Sequence, residues 1–284
     1  MPPLPTKISL GAVSGDFDGD GLVDFYVGGY EIWAKVAGFT DVIYRNLGKG
    51  KFEESWRTKG KLQPARGSTA ADFDEDGDLD IYVSNYRLEP NYLFRNNGNG
   101  AFTDVAPQYG ATGSNGHSIG SAWGDLDNDG WLDLFAGNFA HRDGRGDQPK
   151  SRFLKNLGPG KGHKFQDLGT CGVYYQESYA SPSAGDYDND GHLDLFFAVT
   201  HGYGNHPRLY RNDGSGNFSF TNVTSAAFGS SAPADSMMAG WADFDNDGDL
   251  DLVTDGRLYV NNTSQTTTHP QSLIHISAPT RRYA

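Results

Sequence analysis

The chain lacks the features of a disulfide-stapled, membrane-spanning or nucleic-acid-binding protein. Its 284 residues include one cysteine, Cys171, which excludes internal disulfides and is best interpreted as a small packed residue. No apolar run approaches the ~20 residues of a transmembrane helix. The 23 lysines and arginines are outnumbered by 36 acidic residues, and a net charge of −13 has the wrong sign for a nucleic-acid partner. What remains is an acidic chain long enough for one large all-β domain or two ordinary domains.

Much of the acidic excess lies in a nine-residue pattern, Asp-x-Asp-x-Asp-Gly-x-x-Asp, which occurs five times without departure. The copies occupy residues 16–24, 72–80, 125–133, 186–194 and 243–251, and their positions are numbered 1 to 9 below. The starts of successive copies are 56, 53, 61 and 57 residues apart. A repeat with this regularity indicates an architecture of stacked equivalent units.

The residue types in this pattern predict a calcium loop. Ca²⁺ takes six to eight oxygen ligands, and each copy supplies carboxylates at positions 1, 3, 5 and 9, while position 7 can add its backbone carbonyl. The invariant glycine at position 6 permits the sharp turn that a loop around an ion requires. The absence of thiol and imidazole ligands disfavours zinc and copper, and magnesium prefers a stiffer, wetter shell. The predicted ligands are Asp16, Asp18, Asp20, Leu22, Asp24, Asp72, Asp74, Asp76, Asp78, Asp80, Asp125, Asp127, Asp129, Trp131, Asp133, Asp186, Asp188, Asp190, His192, Asp194, Asp243, Asp245, Asp247, Asp249 and Asp251.

Occupancy by about five Ca²⁺ ions would change the meaning of the acidity. The five loops hold 20 carboxylates at the four ligand positions, and about five ions would bring the net charge from −13 to about −3. We therefore interpret the negative charge as metal-site charge and not as the mark of a basic partner.

The pattern differs from an EF-hand in two respects. An EF-hand loop ends on a bidentate glutamate at position 12, where this chain has Val27, Val83, Ala136, Phe197 and Thr254. The segments that follow each loop, such as DFYVGGY and DIYVSNY, are rich in aromatic and β-branched residues and show no helical period. We expect strands, not helices, on both sides of the loops.

Each period contains signals for four strands. One strand enters the loop and one leaves it; a third carries a recurrent Leu/Ile-Tyr/Phe-x-Asn signal, as in VIYRN and YLFRN. A glycine-rich turn and a fourth strand around an aromatic residue follow, as in NGNGAFTDV. Four antiparallel strands per repeat describe a β-propeller blade; a β-solenoid is the alternative, although its repeats are shorter.

These motifs resemble the FG-GAP/VCBS calcium-binding β-propeller family, which includes the integrin α-chain propeller. Among its branches, GSAWGDLDNDGWLDLFAGN and PNYLFRNNGNGAFTDVA are most similar to the ASPIC/UnbV and cartilage acidic protein-like proteins. The resemblance covers residues 10 to 262 and implies an all-β fold of four-stranded blades that bind calcium. Because family propellers usually have seven blades, it also implies that the five repeats are a fragment of a seven-bladed ring.

The resemblance suggests three segments. We expect a lead-in at residues 1–10, a propeller at 11–271 and a non-native tail at 272–284, since SLIHISAPTRR is similar to a translated sequencing adapter. The fifth repeat stops after RLYVNN, and we expect it to lack a glycine turn and a fourth strand. An authentic five-bladed propeller remains open as the alternative.

Recognition is predicted on the face opposite the loops. The connections between strands 2 and 3 and between strand 4 and the next strand 1 share that face and vary in sequence, as binding loops on a rigid scaffold do. Candidate contacts there are Trp33, Tyr86, His117, His141, His201, Tyr203 and His206. One of these connections also contains Arg145-Gly146-Asp147, a tripeptide that integrins read, although it arises easily by chance in such a chain.

The leading functional hypothesis is an extracellular, calcium-stabilised propeller that binds protein or glycan and performs no catalysis. The N-terminal MPPLPTKISLG has no apolar core of signal-peptide length, so this localisation requires a start further upstream. A polysaccharide-active enzyme and a purely structural module of a larger surface protein are the alternatives. No nucleophile–base spacing supports the enzyme.

Overall fold

The computed structural model describes residues 9–32, 37–139, 149–173, 181–198, 206–234, 238–262 and 273–276. These residues form five four-stranded antiparallel sheets, in each of which the main strands follow one another in chain order. The chain divides into two compact units, residues 1–123 with 130–170 and residues 124–129 with 171–284.

The first unit contains three sheets. The first sheet has a small hairpin, β3 and β4, inserted between its second and third strands. The strands of the first sheet and its insertion are β1 (Ala12–Gly15), β2 (Asp24–Val27), β3 (Glu31–Ile32), β4 (Ala37–Gly38), β5 (Val42–Asn46) and β6 (Phe52–Arg57). Those of the second are β7 (Ala65–Ala71), β8 (Asp80–Asn85), β9 (Tyr92–Asn96) and β10 (Phe102–Asp104), and those of the third are β11 (Ser118–Gly124), β12 (Asp133–Asn138), β13 (Arg152–Asn156) and β14 (Phe165–Asp167).

The second unit contains two sheets. The strands of the fourth sheet are β15 (Ser181–Gly185), β16 (Asp194–Ala198), β17 (Arg208–Asn212) and β18 (Phe220–Asn222). Those of the fifth are β19 (Ala239–Ala242), β20 (Asp251–Thr254), β21 (Arg257–Asn261) and β22 (Leu273–Ile276). The prediction of four strands per repeat, with the aspartate loops between the first and second strands, is therefore confirmed, as are the β-strand flanks that separate these loops from EF-hands.

The expectation that the fifth repeat lacks a fourth strand is wrong. Leu273–Ile276 pairs antiparallel with β21, from Leu258 opposite Ile276 to Asn261 opposite Leu273. Strand pairing is made by backbone groups, so a segment that lacks the glycine turn and aromatic signature of the other fourth strands can still complete the sheet. Whether residues 272–284 are native stays a prediction.

Two short helices lie in connections between sheets. They are α1 (Ala106–Tyr109) and α2 (Thr224–Phe228), and each follows a fourth strand. Ala106 of α1 is fully buried, and Phe228 of α2 packs edge-on against Phe196 of the fourth sheet and Tyr259 of the fifth, with ring centroids 6.2 and 5.4 Å apart. Neither helix, nor any other described, is long and apolar enough to span a bilayer.

The core is built from layers of side chains between consecutive sheets. One layer joins Tyr26 and Ile43 of the first sheet to Ile81, Val83 and Phe94 of the second. Equivalent layers join the second sheet to the third and the fourth to the fifth. This packing explains why β8, β12 and β16 are buried along their whole length and have consecutive apolar residues after the first aspartate. Face-to-face stacking of four-stranded meanders is the packing of β-propeller blades, and the predicted fold class is confirmed.

A buried carboxyl, Asp41, secures the third strand of the first sheet. It is 2% exposed and accepts a hydrogen bond of 2.7 Å from the Gly29 backbone N–H. In the second sheet Asn91 has the equivalent role, accepting from the Asn85 N–H at 2.8 Å. Burial raises the pKa of Asp41 to about 7. The fold therefore favours the neutral acid, which has nearly the shape of the asparagine.

The replacement of asparagine by aspartate at this position predicts a pH-dependent loss of folding stability at Asp41. Because the folded pKa lies above the unfolded value, the stability contributed by the neutral acid is complete below about pH 4 and is lost as the pH rises through about 7. We expect Asp41→Asn to raise the free energy of unfolding above that of wild type by about 2–4 kcal/mol at about pH 8.5. This advantage should shrink toward about pH 5. Urea unfolding at both pH values measures it. The exposed Asp255→Asn is the matched control, and an advantage that is equal at both pH values would contradict the prediction.

Candidate metal centres

Each aspartate loop is closed by its own carboxylates before any ion is considered. The position-1 side chain accepts the backbone N–H groups of positions 5 and 6; in the first loop Asp16 accepts from Asp20 at 3.1 Å and from Gly21 at 2.8 Å. The position-5 carboxylate accepts the N–H of position 7, as Asp20 does from Leu22 at 2.9 Å. The same bonds recur in the second, fourth and fifth loops at 2.9 to 3.1 Å.

The glycine at position 6 has the predicted conformation, and position 4 shares it. Position 6 has φ between +85° and +94° in the five loops. Position 4, which is Gly19, Glu75, Asn128, Asn189 and Asn246, also has positive φ, from +54° to +72°. Asparagine and glycine tolerate this left-handed region best, which explains why four of the five loops have one of them there.

The position-9 aspartate connects the loop to the sheet. Its Oδ2 accepts the position-2 N–H, and its Oδ1 accepts the N–H of the asparagine that ends the third strand. In the second repeat Asp80 is fully buried and makes these bonds to Phe73 at 3.2 Å and to Asn96 at 2.8 Å. Burial raises the pKa of Asp80 and of Asp194 to about 8, a shift opposed by these backbone bonds and increased by neighbouring aspartates. Keeping these carboxyls charged requires a compensating cation nearby.

Positions 1, 3 and 9 converge on one point. In the four loops that lie within a single unit, one carboxylate oxygen from each position falls within 4.8 Å of the other two, a spacing that can hold a metal ion. Two oxygens bound to one ion at about 2.4 Å can be at most about 4.8 Å apart. These groups are Asp16, Asp18 and Asp24; Asp72, Asp74 and Asp80; Asp186, Asp188 and Asp194; and Asp243, Asp245 and Asp251. The donors are all oxygens, which suits a hard cation.

One oxygen in the second loop has no protein partner. The Asp74 side chain is 7% exposed, and its Oδ2 forms an ion pair with Arg95 Nε at 2.6 Å. Its Oδ1 is buried and accepts no hydrogen bond. An unsatisfied buried carboxylate oxygen is costly, and a metal ion at the centre of the group would satisfy it.

The third loop is divided between the two units. In the second unit, the Asp129 N–H donates to Asp125 Oδ1 at 3.0 Å, the same closure as in the other loops. In the first unit, Asp133 is fully buried and accepts the Asn156 N–H at 2.8 Å. Each part therefore repeats the local geometry of its equivalents.

The position-7 side chain packs against a glycine turn in three of the repeats. Gly98, Gly158 and Gly214, the first glycines of the turns before the fourth strands, lie directly against Asp78, Trp131 and His192. A Cβ on Gly158 would come within 2.6 Å of the Trp131 ring nitrogen, and these glycines also have positive φ. The contact explains both the glycine and the tolerance for unlike residues at position 7.

The third-strand asparagine forms a link between blades that sequence reasoning missed. Its side-chain N–H₂ donates to the position-2 carbonyl of the preceding repeat and to the position-8 carbonyl of its own. Asn96, Asn156, Asn212 and Asn261 reach Phe73 or its equivalents, namely Phe17, Phe73, Leu126 and Tyr187, at 2.6 to 3.0 Å. The recurrent x-Asn was visible in the sequence, but a bond to a residue 74 to 86 positions earlier was not.

The predicted recognition residues are only partly described. Trp33, His141, His201, Tyr203 and the tripeptide Arg145-Gly146-Asp147 lie outside the described residues. Tyr86 and His117 are buried, 7% and 8% exposed, with ring centroids 4.5 Å apart. His206 is exposed, and its Nδ1 lies 3.0 Å from the Ala234 carbonyl. Two arginines lie near the buried Tyr86. The Cζ of Arg66 lies 4.7 Å from the centroid of the Tyr86 ring, and Nε of the exposed Arg87 lies 2.8 Å from Glu31 Oε1.

Comparison with known proteins identifies the repeat. The FG-GAP-like repeat matches residues 16–83, 72–136 and 186–254, which is more than half of the chain. The chain belongs to the FG-GAP-like repeat family.

The related proteins agree with this assignment. Cartilage acidic protein 1 of Mus musculus is 30% identical over 137 residues, covering 48% of this chain and 20% of its own length. The Xenopus tropicalis protein is 29% identical over 196 residues, covering 68% of this chain and 29% of its own length. The chain thus spans less than a third of the length of these relatives.

An Agrocybe aegerita lectin that recognises non-reducing terminal N-acetylglucosamine aligns with 93% of this chain and 65% of its own, at TM-score 0.49 and 17% identity.

The asparagine link predicts a large cost for a small truncation. Asn156 is fully buried, and its side chain donates to Phe73 and Leu132 and accepts from the Gly158 N–H. We expect Asn156→Ala to lower the free energy of unfolding by about 1–3 kcal/mol, because buried carbonyls lose their donors. Chemical denaturation measures this loss. Asn97→Ala, in an exposed turn with bonds inside its own hairpin, is the matched control. Equal losses in the two variants would refute the link.

Proposed function

We propose that the chain is a calcium-stabilised β-propeller scaffold for recognition of a protein or glycan outside the cell, and that it performs no catalysis. The observation that carries the metal part is the convergence of three carboxylates, one of them buried, in each of the four loops that lie within a single unit. Without an ion the three carboxylates would repel one another and lose part of their hydration, whereas a divalent cation offsets both unfavourable free energies. The family assignment supports a scaffold role, since the fold is repeated without a repeated catalytic group.

Calcium is the cation that fits the donors best. The predicted ligands are the carboxylates of positions 1, 3, 5 and 9 together with the position-7 backbone carbonyl, and the packing of the position-7 side chain on the turn glycine favours that main-chain role. When bound, calcium would neutralise the loop and satisfy oxygens such as Asp74 Oδ1. Loops of moderate affinity fill at the millimolar calcium found outside cells, which supports that localisation.

Recognition is assigned to the ends of the sheets opposite the loops. There the connections differ from repeat to repeat, whereas the loop ends are uniform. In the described part of that face, the half-buried Arg66 lies on the ring of the buried Tyr86, and the exposed Arg87 pairs with Glu31. Rigid aromatic support beneath a guanidinium group suits a polar or acidic partner.

Chelation should lower the thermal stability of the chain. Each filled loop adds about 2.7 kcal/mol when free calcium is one hundred times its dissociation constant, so removal by EDTA should lower Tm by many degrees. Differential scanning calorimetry with EDTA and with millimolar CaCl₂ measures the shift. An unchanged Tm would refute the calcium role.

Two aspartates of the second loop distinguish a side chain that binds the ion from one that does not. Asp72, at position 1, is a predicted ligand through its side chain, whereas Asp78, at position 7, contributes its carbonyl. We expect Asp72→Asn to reduce by one the number of calcium ions bound in isothermal titration, and Asp78→Asn to keep the full number. The loss of an ion in Asp78→Asn but not in Asp72→Asn would contradict the assignment.

The recognition face can be tested on a glycan panel scored for binding and for new reducing ends. We expect calcium-dependent binding of acidic glycans without cleavage, weakened at least tenfold by the paired change Arg66→Ala with Arg87→Ala. Lys51→Ala, in the exposed glycine turn at the loop end of the first sheet, is the control. New reducing ends would indicate an enzyme instead of a scaffold.

A further inference from the structure

The residue before each linking asparagine differs in charge between repeats. It is Arg45, Arg95, Lys155, Arg211 and Val260 in the five repeats. The position lies on the third strand, whose last residue bonds to the position-9 aspartate of the loop. A long side chain there can reach the loop carboxylates, and a valine cannot supply a charge.

In the first two repeats this arginine binds its own metal loop. Arg45 Nε lies 2.5 Å from Asp18 Oδ2, and its Nη2 donates to Asp20 Oδ2 at 2.9 Å. Arg95 repeats the geometry, with Nε 2.6 Å from Asp74 Oδ2 and Nη2 2.9 Å from Asp76 Oδ2. The fork therefore engages positions 3 and 5, two of the four predicted carboxylate ligands, and position 3 also belongs to the converging group.

The guanidinium reduces the need for a metal ion without replacing it. It neutralises part of the carboxylate charge and holds the side chains of positions 3 and 5 in place. Asp74 Oδ1, buried and without a hydrogen bond, is the oxygen of that side chain that the guanidinium leaves open to an ion. An ion that enters must share Asp18 or Asp74 with a positive charge close by, and this repulsion lowers its affinity.

The fourth and fifth repeats depart from this arrangement. Arg211 Nη2 donates a hydrogen bond of 3.3 Å to Asp213 Oδ1, in the following turn. In the fifth repeat Val260 takes the place, while the loop carries five aspartates because position 7 is Asp249. The second loop also carries five aspartates, with Glu75 in addition, but it has Arg95 beside it, so the fifth loop differs in having no lysine or arginine at this position.

We propose that Arg45 and Arg95 are built-in counter-cations that weaken calcium binding in the first two loops, so that the five loops fill at graded calcium concentrations, with the fifth among the first. The proposal rests on the calcium role proposed above. The calcium affinity of a loop then depends on a residue outside the loop motif. The loops of the first two blades stay ordered at low calcium, whereas the order of the fifth loop depends on the bound ion.

Calcium titration of the whole chain tests this assignment. We expect the double variant Arg45→Gln with Arg95→Gln to bind calcium at two of its sites on the order of tenfold more tightly than wild type. Its Tm should fall below that of wild type in EDTA and recover in saturating CaCl₂. Arg57→Gln, which removes a surface arginine paired with Glu54, should leave both readouts unchanged.

A matched pair of loop variants tests the order of filling. Asp18→Asn and Asp245→Asn alter position 3 in the first and fifth loops. We expect Asp245→Asn to remove binding from the tightest phase and Asp18→Asn to remove it from the weakest. The reverse order, or an affinity of the double variant equal to that of Arg57→Gln, would overturn the counter-cation role while leaving the calcium scaffold intact. Absence of calcium binding in wild type would overturn both.

Discussion

The interaction on which the structure depends is the bond between the buried position-9 aspartate and the backbone of the third-strand asparagine. One oxygen of that aspartate fixes the start of the loop, and the other fixes the end of the third strand, as Asp80 does for Phe73 and Asn96. The asparagine side chain then reaches the loop of the preceding repeat. A single buried carboxylate thereby joins the metal loop, the sheet and the next interface between sheets.

This arrangement links charge to packing. The layers between sheets are apolar and closely packed, and the aspartate loops border them, so each buried carboxyl must be compensated within its own repeat. Backbone N–H groups and neighbouring arginines share that compensation in different proportions from loop to loop, and the proposed cation would complete it. If the loops bind the proposed cation, conformational order and metal occupancy are properties of the same atoms.

Much of the local structure could be predicted because the repeat presents each signal five times. The strand that leaves each loop, the positive φ of the glycine at position 6 and the hairpin before the fourth strand all follow from short-range chemistry. The failures have short-range causes too. A fourth strand at Leu273–Ile276 carries none of the aromatic or glycine signals of its equivalents, and the helices α1 and α2 are four and five residues long, too short to show a period.

The sequence by itself determined the repeat, the strand pattern and the oxygen-only donor set, because these depend on residue identity and on spacing within nine residues. The tertiary structure alone decided which carboxylates converge, that position 7 rests on a turn glycine, and that an asparagine binds the carbonyl of the previous repeat. It also decided that Tyr86, which lies under Arg66, and His117 are buried and are not exposed contacts. The physical reason is distance along the chain: these contacts join residues up to 86 positions apart, and only the stacking of sheets brings them together.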